Sequence, residues 1–93
     1  MVKKHKFQVV LPTDAIEVTN PNLDEEYVES LRVGIINGKI NPRDLDPILV
    51  RIIKGEGYFD HDGNHRLEAM KRAGVREVRA EVWPMVRRKP ESL

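Results

Sequence analysis

Residues 58–69 read YFDHDGNHRLEA, and the change of pattern inside this stretch decides the fold. Its first four residues are typical of a strand, whereas a helical repeat of apolar side chains begins after Gly63. A helix that starts at this turn directs its unpaired N–H groups and its positive dipole end at one point, beside the basic side chains of His65 and Arg66. That point suits a phosphate group.

The length and composition indicate one small globular domain. A chain of 93 residues has no room for a second core, and 40% apolar with 33% charged residues is typical of a folded protein. The 16 Lys and Arg nearly balance the 15 Asp and Glu, which argues against a protein whose whole surface binds nucleic acid. The absence of Cys excludes a disulfide framework, a thiolate metal site and a cysteine nucleophile.

The expected location is the cytoplasm. No run approaches the roughly 18 to 20 apolar residues that cross a bilayer. The charged start Met1–Lys6 is also not followed by the apolar segment of a leader peptide. We therefore expect a cytoplasmic protein without a membrane partner. The high charge, the single Gln and the lack of Cys favour a thermophilic source.

The first half of the chain predicts one main strand and one helix. Phe7–Leu11 is a β-rich run that stops at a proline, and Ile16–Val18 adds a brief second extended segment. A helix is predicted after the polar stretch Asn20–Asn22, because acidic residues there lead into an apolar repeat. The repeat consists of Tyr27, Leu31 and Ile35, with Val28 beside them. Gly38 should end this helix, and Gly34 should weaken its last turn.

The second half predicts a sheet built around one central strand. Lys39–Pro47 contains two prolines and is predicted to be a surface connection. The almost wholly apolar Ile48–Ile53 is the expected central strand, and Lys54–Gly57 is a hairpin turn into the strand of residues 58–61. Gly74 ends the helix that follows, which has about three turns. A final half-buried strand is predicted from the alternating apolar residues Val78, Ala80 and Val82.

The predicted order β-α-β-β-α-β indicates an α+β fold with a mixed sheet and two or three helices. We expect one domain over residues 1–93, with a core from about 7 to 83 and a flexible basic tail at 85–93.

Three parts of the sequence together resemble the ParB/sulfiredoxin-like domain: Asp46–Arg51, the turn and helix Gly63–Ala69, and the final strand. The resemblance implies that the turn binds nucleotide phosphates. ParB proteins of this family hydrolyse CTP there, sulfiredoxins use ATP, and an archaeal free-serine kinase uses ADP.

Departures from the family pattern separate these activities. Sulfiredoxins carry a catalytic cysteine where this chain has Asn64, so reduction of a sulfinic acid by that route is excluded. ParB proteins usually have Glu-Arg-Arg after the glycine and a Pro-Arg box before the first helix, but Pro42-Arg43 follows the helix here. Residues 62–66 are most similar to the Asp-Gly-His-His-Arg form of the serine-kinase branch, which is a longer protein. No helix-turn-helix pattern follows Trp83, so we do not expect ParB-like reading of a DNA site.

A phosphate cradle is expected from Gly63, Asn64, His65 and Arg66. Gly63 would allow a tight turn and close approach of a phosphate, and Asn64 is expected mainly to cap the helix. His65 could donate a ring N–H, act as an acid or base, or be structural. Arg66 offers donors that match phosphate oxygens, with pairing to a nearby acid such as Glu68 as the alternative.

Catalysis and Mg²⁺ binding are assigned to acids near this cradle. Asp62 could hold Mg²⁺ or remove a proton from an attacking water or hydroxyl, or it could be an ordinary turn aspartate. Glu17 is the candidate auxiliary base, and His65 completes the catalytic set. The expected partner is a nucleotide (ATP, ADP or CTP) bound with Mg²⁺, with NTP hydrolysis or phosphotransfer as the reaction. Asp60, His61, Asp62 and His65 could also suggest a zinc site, but alternation along a strand separates them.

The alternative function is a DNA- or RNA-binding module or a ParB-like nuclease. Lys3–Lys6 and Arg87–Lys89 could bind a nucleic-acid backbone, although charged termini are usually solvated. No second acid is clearly placed for a two-metal nuclease site. A nucleotide-dependent homodimer is a further expectation, since a domain of this size often completes its site with a second surface.

Overall fold

The computed structural model describes residues 7–53 and 55–84. The predicted basic tail at 85–93 and the Lys3–Lys6 cluster lie outside these residues. The described strands are β1 (Phe7–Pro12), β2 (Ile16–Glu17), β3 (Ile48–Ile53), β4 (Gly57–Asp62) and β5 (Glu77–Pro84). The described α-helices are α1 (Glu25–Ile36) and α2 (Asn64–Arg72). Single 3₁₀ turns at Thr13–Ala15 and Pro42–Asp44 lie in the connections.

The five described strands form one mixed sheet in the order β1-β5-β3-β4-β2. β3 lies at the centre, antiparallel to β4 and parallel to β5, so the prediction of a central apolar strand is confirmed. β1 is antiparallel to β5 at one edge, and the short β2 is parallel to β4 at the other. The α+β class and the mixed sheet predicted from the sequence are therefore correct.

The main core lies between one face of the sheet and α2. Apolar side chains from three strands (β2, β3 and β5) meet those of α2 there: Ile16, Ile48, Val50, Leu67, Met70, Val78, Ala80 and Val82. Val28 and Leu31 of α1 pack with Ala69 of α2 in a second, smaller cluster. α1 thus packs on α2, and the start of α1 contacts both His65 near the start of α2 and Arg72 at its end.

Two details of α1 differ from the sequence-based expectation. Tyr27 belongs to the apolar repeat but is 48% exposed, whereas its neighbour Val28 is fully buried. The helix continues through Gly34 to Ile36, so its last turn is not cut short as expected. A Cβ at Gly34 would lie 2.5 Å from Cδ1 of Ile40, and the glycine therefore makes room for the chain that passes over the helix.

An ion-pair network on the surface joins the two helices. The Arg72 guanidinium donates to Glu68 on α2 (2.7 Å) and to Glu25 at the start of α1 (2.8 Å). The hydrogen bond from Arg72 lowers the pKa of Glu25. The hydrogen bonds to Glu25 and Glu68 raise the pKa of Arg72. The contact links the α1 start to α2 electrostatically.

Acid should weaken this link between the helices. Since the pKa of Glu25 is depressed below its ordinary value of 4.5, its ionised form stabilises the fold above that value, and the stabilisation disappears as pH falls through the lowered pKa. We expect Glu25→Gln to lower the melting temperature slightly at pH 7, because the pair is exposed. Melting curves of the two proteins should converge in acid, and a difference that stayed constant with pH would contradict this expectation.

Candidate functional site

The predicted turn lies where β4 gives way to α2. Gly63 occupies the N-cap position with φ of 94°, and no side chain caps the helix. The first N–H groups of an α-helix have no acceptor within the helix. Those of Asn64, His65 and Arg66 are therefore available to a ligand, next to the positive end of the helix dipole. The strand, turn and short helix of the sequence-based prediction are confirmed.

Gly63 is required by its own surroundings. A Cβ at this position would lie 2.6 Å from Nη2 of Arg66 and 2.9 Å from Cδ1 of Ile48. The sequence predicted that the glycine keeps space free for a phosphate. In the structure the space beside Gly63 is taken by the Arg66 guanidinium, so the glycine brings that cation against the turn.

The Asp60 carboxylate joins the turn to the loop after β2 through three hydrogen bonds. Its side chain is 1% exposed, and Oδ1 accepts hydrogen bonds from the backbone N–H of Thr19 (2.9 Å) and from its hydroxyl (2.7 Å). Oδ2 accepts from the side-chain amide of Asn64. Asn64 is the first residue of the helix and Gly63 occupies the N-cap position, so the prediction of a capping role for Asn64 is wrong.

Sequence reasoning considered Asp60 only as a metal ligand. The register of β3 and β4 shifts between Val50↔Asp60 and Leu49↔Asp62, which leaves His61 as the extra residue of a bulge. Asp60 is consequently buried while Asp62 is exposed, so they do not share one environment as simple alternation would suggest. An acid within a half-apolar strand, followed four residues later by an amide at a helix start, was the signal that could have identified it.

His65 is held by the start of α1. Its Nε2 accepts the backbone N–H of Asp24 at 3.0 Å, and its ring packs against Tyr27 with centroids 5.4 Å apart. An imidazole that accepts at Nε2 carries its proton on Nδ1. Nδ1–H is therefore the donor that His65 can offer to an anion, while Nε2 is not free to act as a base as long as this bond holds.

Arg66 carries a positive charge that no described carboxylate neutralises. Its Nη2 makes a long contact of 3.4 Å to the carbonyl oxygen of Pro47, and its Nε is buried without a partner among the described residues. Glu68, the alternative partner, accepts from Arg72 instead. Asp62 accepts from the N–H of Gly63. Arg66 is thus available to an anion at the turn.

The two predicted acids occupy different places. Asp62 lies at the end of β4, is exposed, and uses Oδ1 to accept the N–H of Gly63 at 2.9 Å, which leaves Oδ2 open. Glu17 is paired with Phe59 in the sheet register, and its neighbour Ile16 is fully buried. Because successive side chains of a strand point to opposite faces, Glu17 points away from the core face on which α2 packs. The structure brings residues 62–66 together and leaves Glu17 apart from them.

The rest of the described surface contains no competing metal cluster. Within residues 7–53 and 55–84, no group of three or more His, Cys, Asp or Glu is placed to hold a metal ion. Open grooves of about 660 and 760 Å³ lie elsewhere, beside the start of β5 and on the outer side of α1, and residues 62–66 line neither. No described helix is long and apolar enough to cross a bilayer.

Solved structures with the same fold belong to proteins with different names, and two of the three described next contain a nucleotide. A sulfiredoxin from Arabidopsis thaliana is 24% identical with a TM-score of 0.64, over 85% of this chain and 86% of that one. A C-terminally truncated ParB from Caulobacter crescentus, in complex with CTP-γ-S, is 24% identical with a TM-score of 0.67, over 86% and 46%. A mutant free serine kinase in complex with AMP is 20% identical with a TM-score of 0.66, over 86% and 32%.

The sequence match shows the family of this chain, whereas the structural similarities show only its fold. This chain spans less than half the length of the ParB and kinase structures, so those similarities show the fold and not a shared activity. No curated protein matches the sequence. The model of the ParB N-terminal domain matches residues 3–91, nearly the whole chain. The chain therefore belongs to the ParB N-terminal domain family.

Proposed function

We propose that the first turn of α2 binds the phosphate groups of a nucleotide. The observation that carries this proposal is the convergence of three kinds of donor at one turn: open backbone N–H groups, the guanidinium of Arg66 and Nδ1–H of His65. All of them favour a negatively charged oxygen, and none of them reads a base.

Relatives of the same fold support a nucleotide over an isolated phosphate. The ParB structure contains CTP-γ-S, and free serine kinase structures contain AMP or ADP. These ligands differ in the base and share the phosphate-bearing part. ATP, ADP and CTP are accordingly the partners that we propose for this chain.

Mg²⁺ fits the acids around the turn. Asp62 has one carboxylate oxygen open, and Asp24 lies next to the ring of His65, to which its backbone N–H donates. Their negative charges oppose a bare phosphate, whereas Mg²⁺ is commonly held by one or two carboxylates together with substrate phosphates. Asp62 would be the protein ligand. We expect nucleotide binding to tighten when Mg²⁺ is added, and Asp62→Asn to remove most of that dependence in calorimetric titrations.

Slow NTP hydrolysis or phosphotransfer is the reaction that this site would support. Asp62 is the carboxylate placed to accept a proton from an attacking water or hydroxyl. His65 has Nε2 engaged and Glu17 points away from α2, so neither supplements it in the arrangement described above. We therefore propose that binding is the main activity and that turnover, measured as phosphate release, depends on Asp62.

Replacement of Arg66 tests the cradle. Loss of a charge-assisted contact to phosphate should weaken nucleotide binding by about 10- to 100-fold in Arg66→Ala, with Arg66→Lys retaining part of the affinity. Titration calorimetry with ATP, ADP, CTP and GTP, with and without Mg²⁺, measures the effect.

Arg76→Ala is the matched control, because Arg76 is exposed and its side chain makes no hydrogen bond or ion pair with described residues. Its affinity should equal that of the unchanged protein. Melting temperatures without ligand separate a binding defect from unfolding. The proposal fails if the unchanged protein binds no nucleotide, or if both arginine variants bind equally well.

A further inference from the structure

Tyr27 is a large aromatic side chain that the fold leaves on the surface. Its side chain is 48% exposed, while the adjacent Val28 is completely buried. The other exposed large hydrophobic residues in the described part of the chain are aliphatic: Val9, Val10, Val33 and Ile36. Packing in the core therefore does not account for an aromatic ring at position 27.

The ring lies directly beside the turn that we propose binds phosphate. Its centroid is 5.4 Å from that of His65, with an angle of 53° between the two planes. His65 is the second residue of α2, and its backbone N–H is one of the open donors. A ligand whose phosphates occupy the turn consequently has an aromatic surface within reach of its other end.

The position of this ring is fixed through Asp24. The Asp24 carboxylate accepts the backbone N–H of Tyr27 (3.2 Å), and the Asp24 N–H donates to Nε2 of His65 (3.0 Å). One residue thus sets the backbone of Tyr27 and the imidazole on which its ring packs. An aromatic group held in this way loses little conformational freedom when a ligand stacks on it.

We propose that Tyr27, supported by His65, is the surface on which the base of the bound nucleotide stacks. This inference rests on the proposed function and adds to it the contact that distinguishes a nucleotide from inorganic polyphosphate. Every base has a π-face, so stacking on Tyr27 favours nucleotides as a class and discriminates weakly among A, G and C.

The test compares a nucleotide with the same phosphates lacking a base. Titration calorimetry with Mg-ATP and with Mg-triphosphate would be carried out on the unchanged protein, Tyr27→Ala, Tyr27→Phe and Ile36→Ala. Ile36 is 58% exposed on the same helix and serves as the control for loss of a surface apolar group. We expect Tyr27→Ala to weaken ATP binding by about tenfold and to leave triphosphate binding within about twofold. Tyr27→Phe and Ile36→Ala should bind both ligands normally.

Two outcomes would overturn the stacking inference alone, and a third would also overturn the proposed function. An equal loss for ATP and triphosphate in Tyr27→Ala would show that Tyr27 only positions His65, and the stacking inference would be overturned. Equal affinities of the unchanged protein for both ligands would overturn it too, while leaving the phosphate site intact. Failure of the unchanged protein to bind either ligand would overturn the proposed function and the inference with it.

Discussion

Asp60→Ala should lower the free energy of unfolding by about 3 kcal/mol, because it removes a buried carboxylate that accepts three part-buried hydrogen bonds. The donors are the N–H and hydroxyl of Thr19 and the amide of Asn64. For a domain of this size the loss corresponds to roughly 10 to 20 °C in melting temperature. Chemical denaturation followed by circular dichroism measures it directly.

Asp62→Ala is the matched control for this substitution. Asp62 lies two positions further on, is exposed, and accepts one hydrogen bond from the neighbouring Gly63. Its removal should cost about 1 kcal/mol or less. Similar losses in the two variants would mean that Asp60 does not hold the loop after β2 against the start of α2.

Gly63→Ala should destabilise the fold to a similar extent and should also abolish nucleotide binding. An alanine at φ of 94° costs about 1 to 2 kcal/mol by itself. The added Cβ also lies 2.6 Å from the Arg66 guanidinium and 2.9 Å from Ile48, so the cation or the helix start must move. We expect a total loss of about 2 to 4 kcal/mol in unfolding free energy.

Gly74→Ala separates the two causes. Gly74 also has a positive φ, 80°, but an added Cβ there meets no atom within 4 Å. It should therefore show the backbone cost alone, about 1 kcal/mol, with nucleotide affinity unchanged. If the two alanine variants were equally stable and bound equally well, close packing of Arg66 on Gly63 would have no role.

The backbone elements could be predicted from the sequence because their signals are local. Strand β3 is an almost continuous apolar run, and β5 alternates with period two. Gly38 and Gly74 follow the two helices with positive φ, as helix-ending glycines do. The resemblance to the ParB/sulfiredoxin-like domain also came from contiguous motifs, and the match of the ParB N-terminal domain confirms it.

The errors arose where distant parts of the chain meet. The buried Asp60 accepts from both Asn64 and Thr19, and Thr19 is 41 positions from Asp60 in the sequence. His65 contacts Asp24, also 41 positions away, and no periodic pattern reports such a pair. Gly34 was expected to weaken the last turn of α1, and the sequence does not show that Ile40 packs over it in the folded structure.

The shared fold does not select the reaction. Sulfiredoxin, ParB and free serine kinase have the same architecture at 20 to 24% identity to this chain. What this chain can do depends on the groups at its own turn, and those described are hydrogen-bond donors beside an open carboxylate oxygen of Asp62. Binding is therefore the property to establish first.

The most direct measurement is an amide NMR titration of the ¹⁵N-labelled protein with Mg-ATP. If the first turn of α2 binds the phosphates, the N–H signals of Gly63, Asn64, His65 and Arg66 should show the largest saturable shifts. These shifts should disappear in Arg66→Ala and persist in Arg76→Ala. Saturable shifts confined to another part of the sheet or to α1, or no shifts at millimolar Mg-ATP, would contradict a phosphate site at this turn.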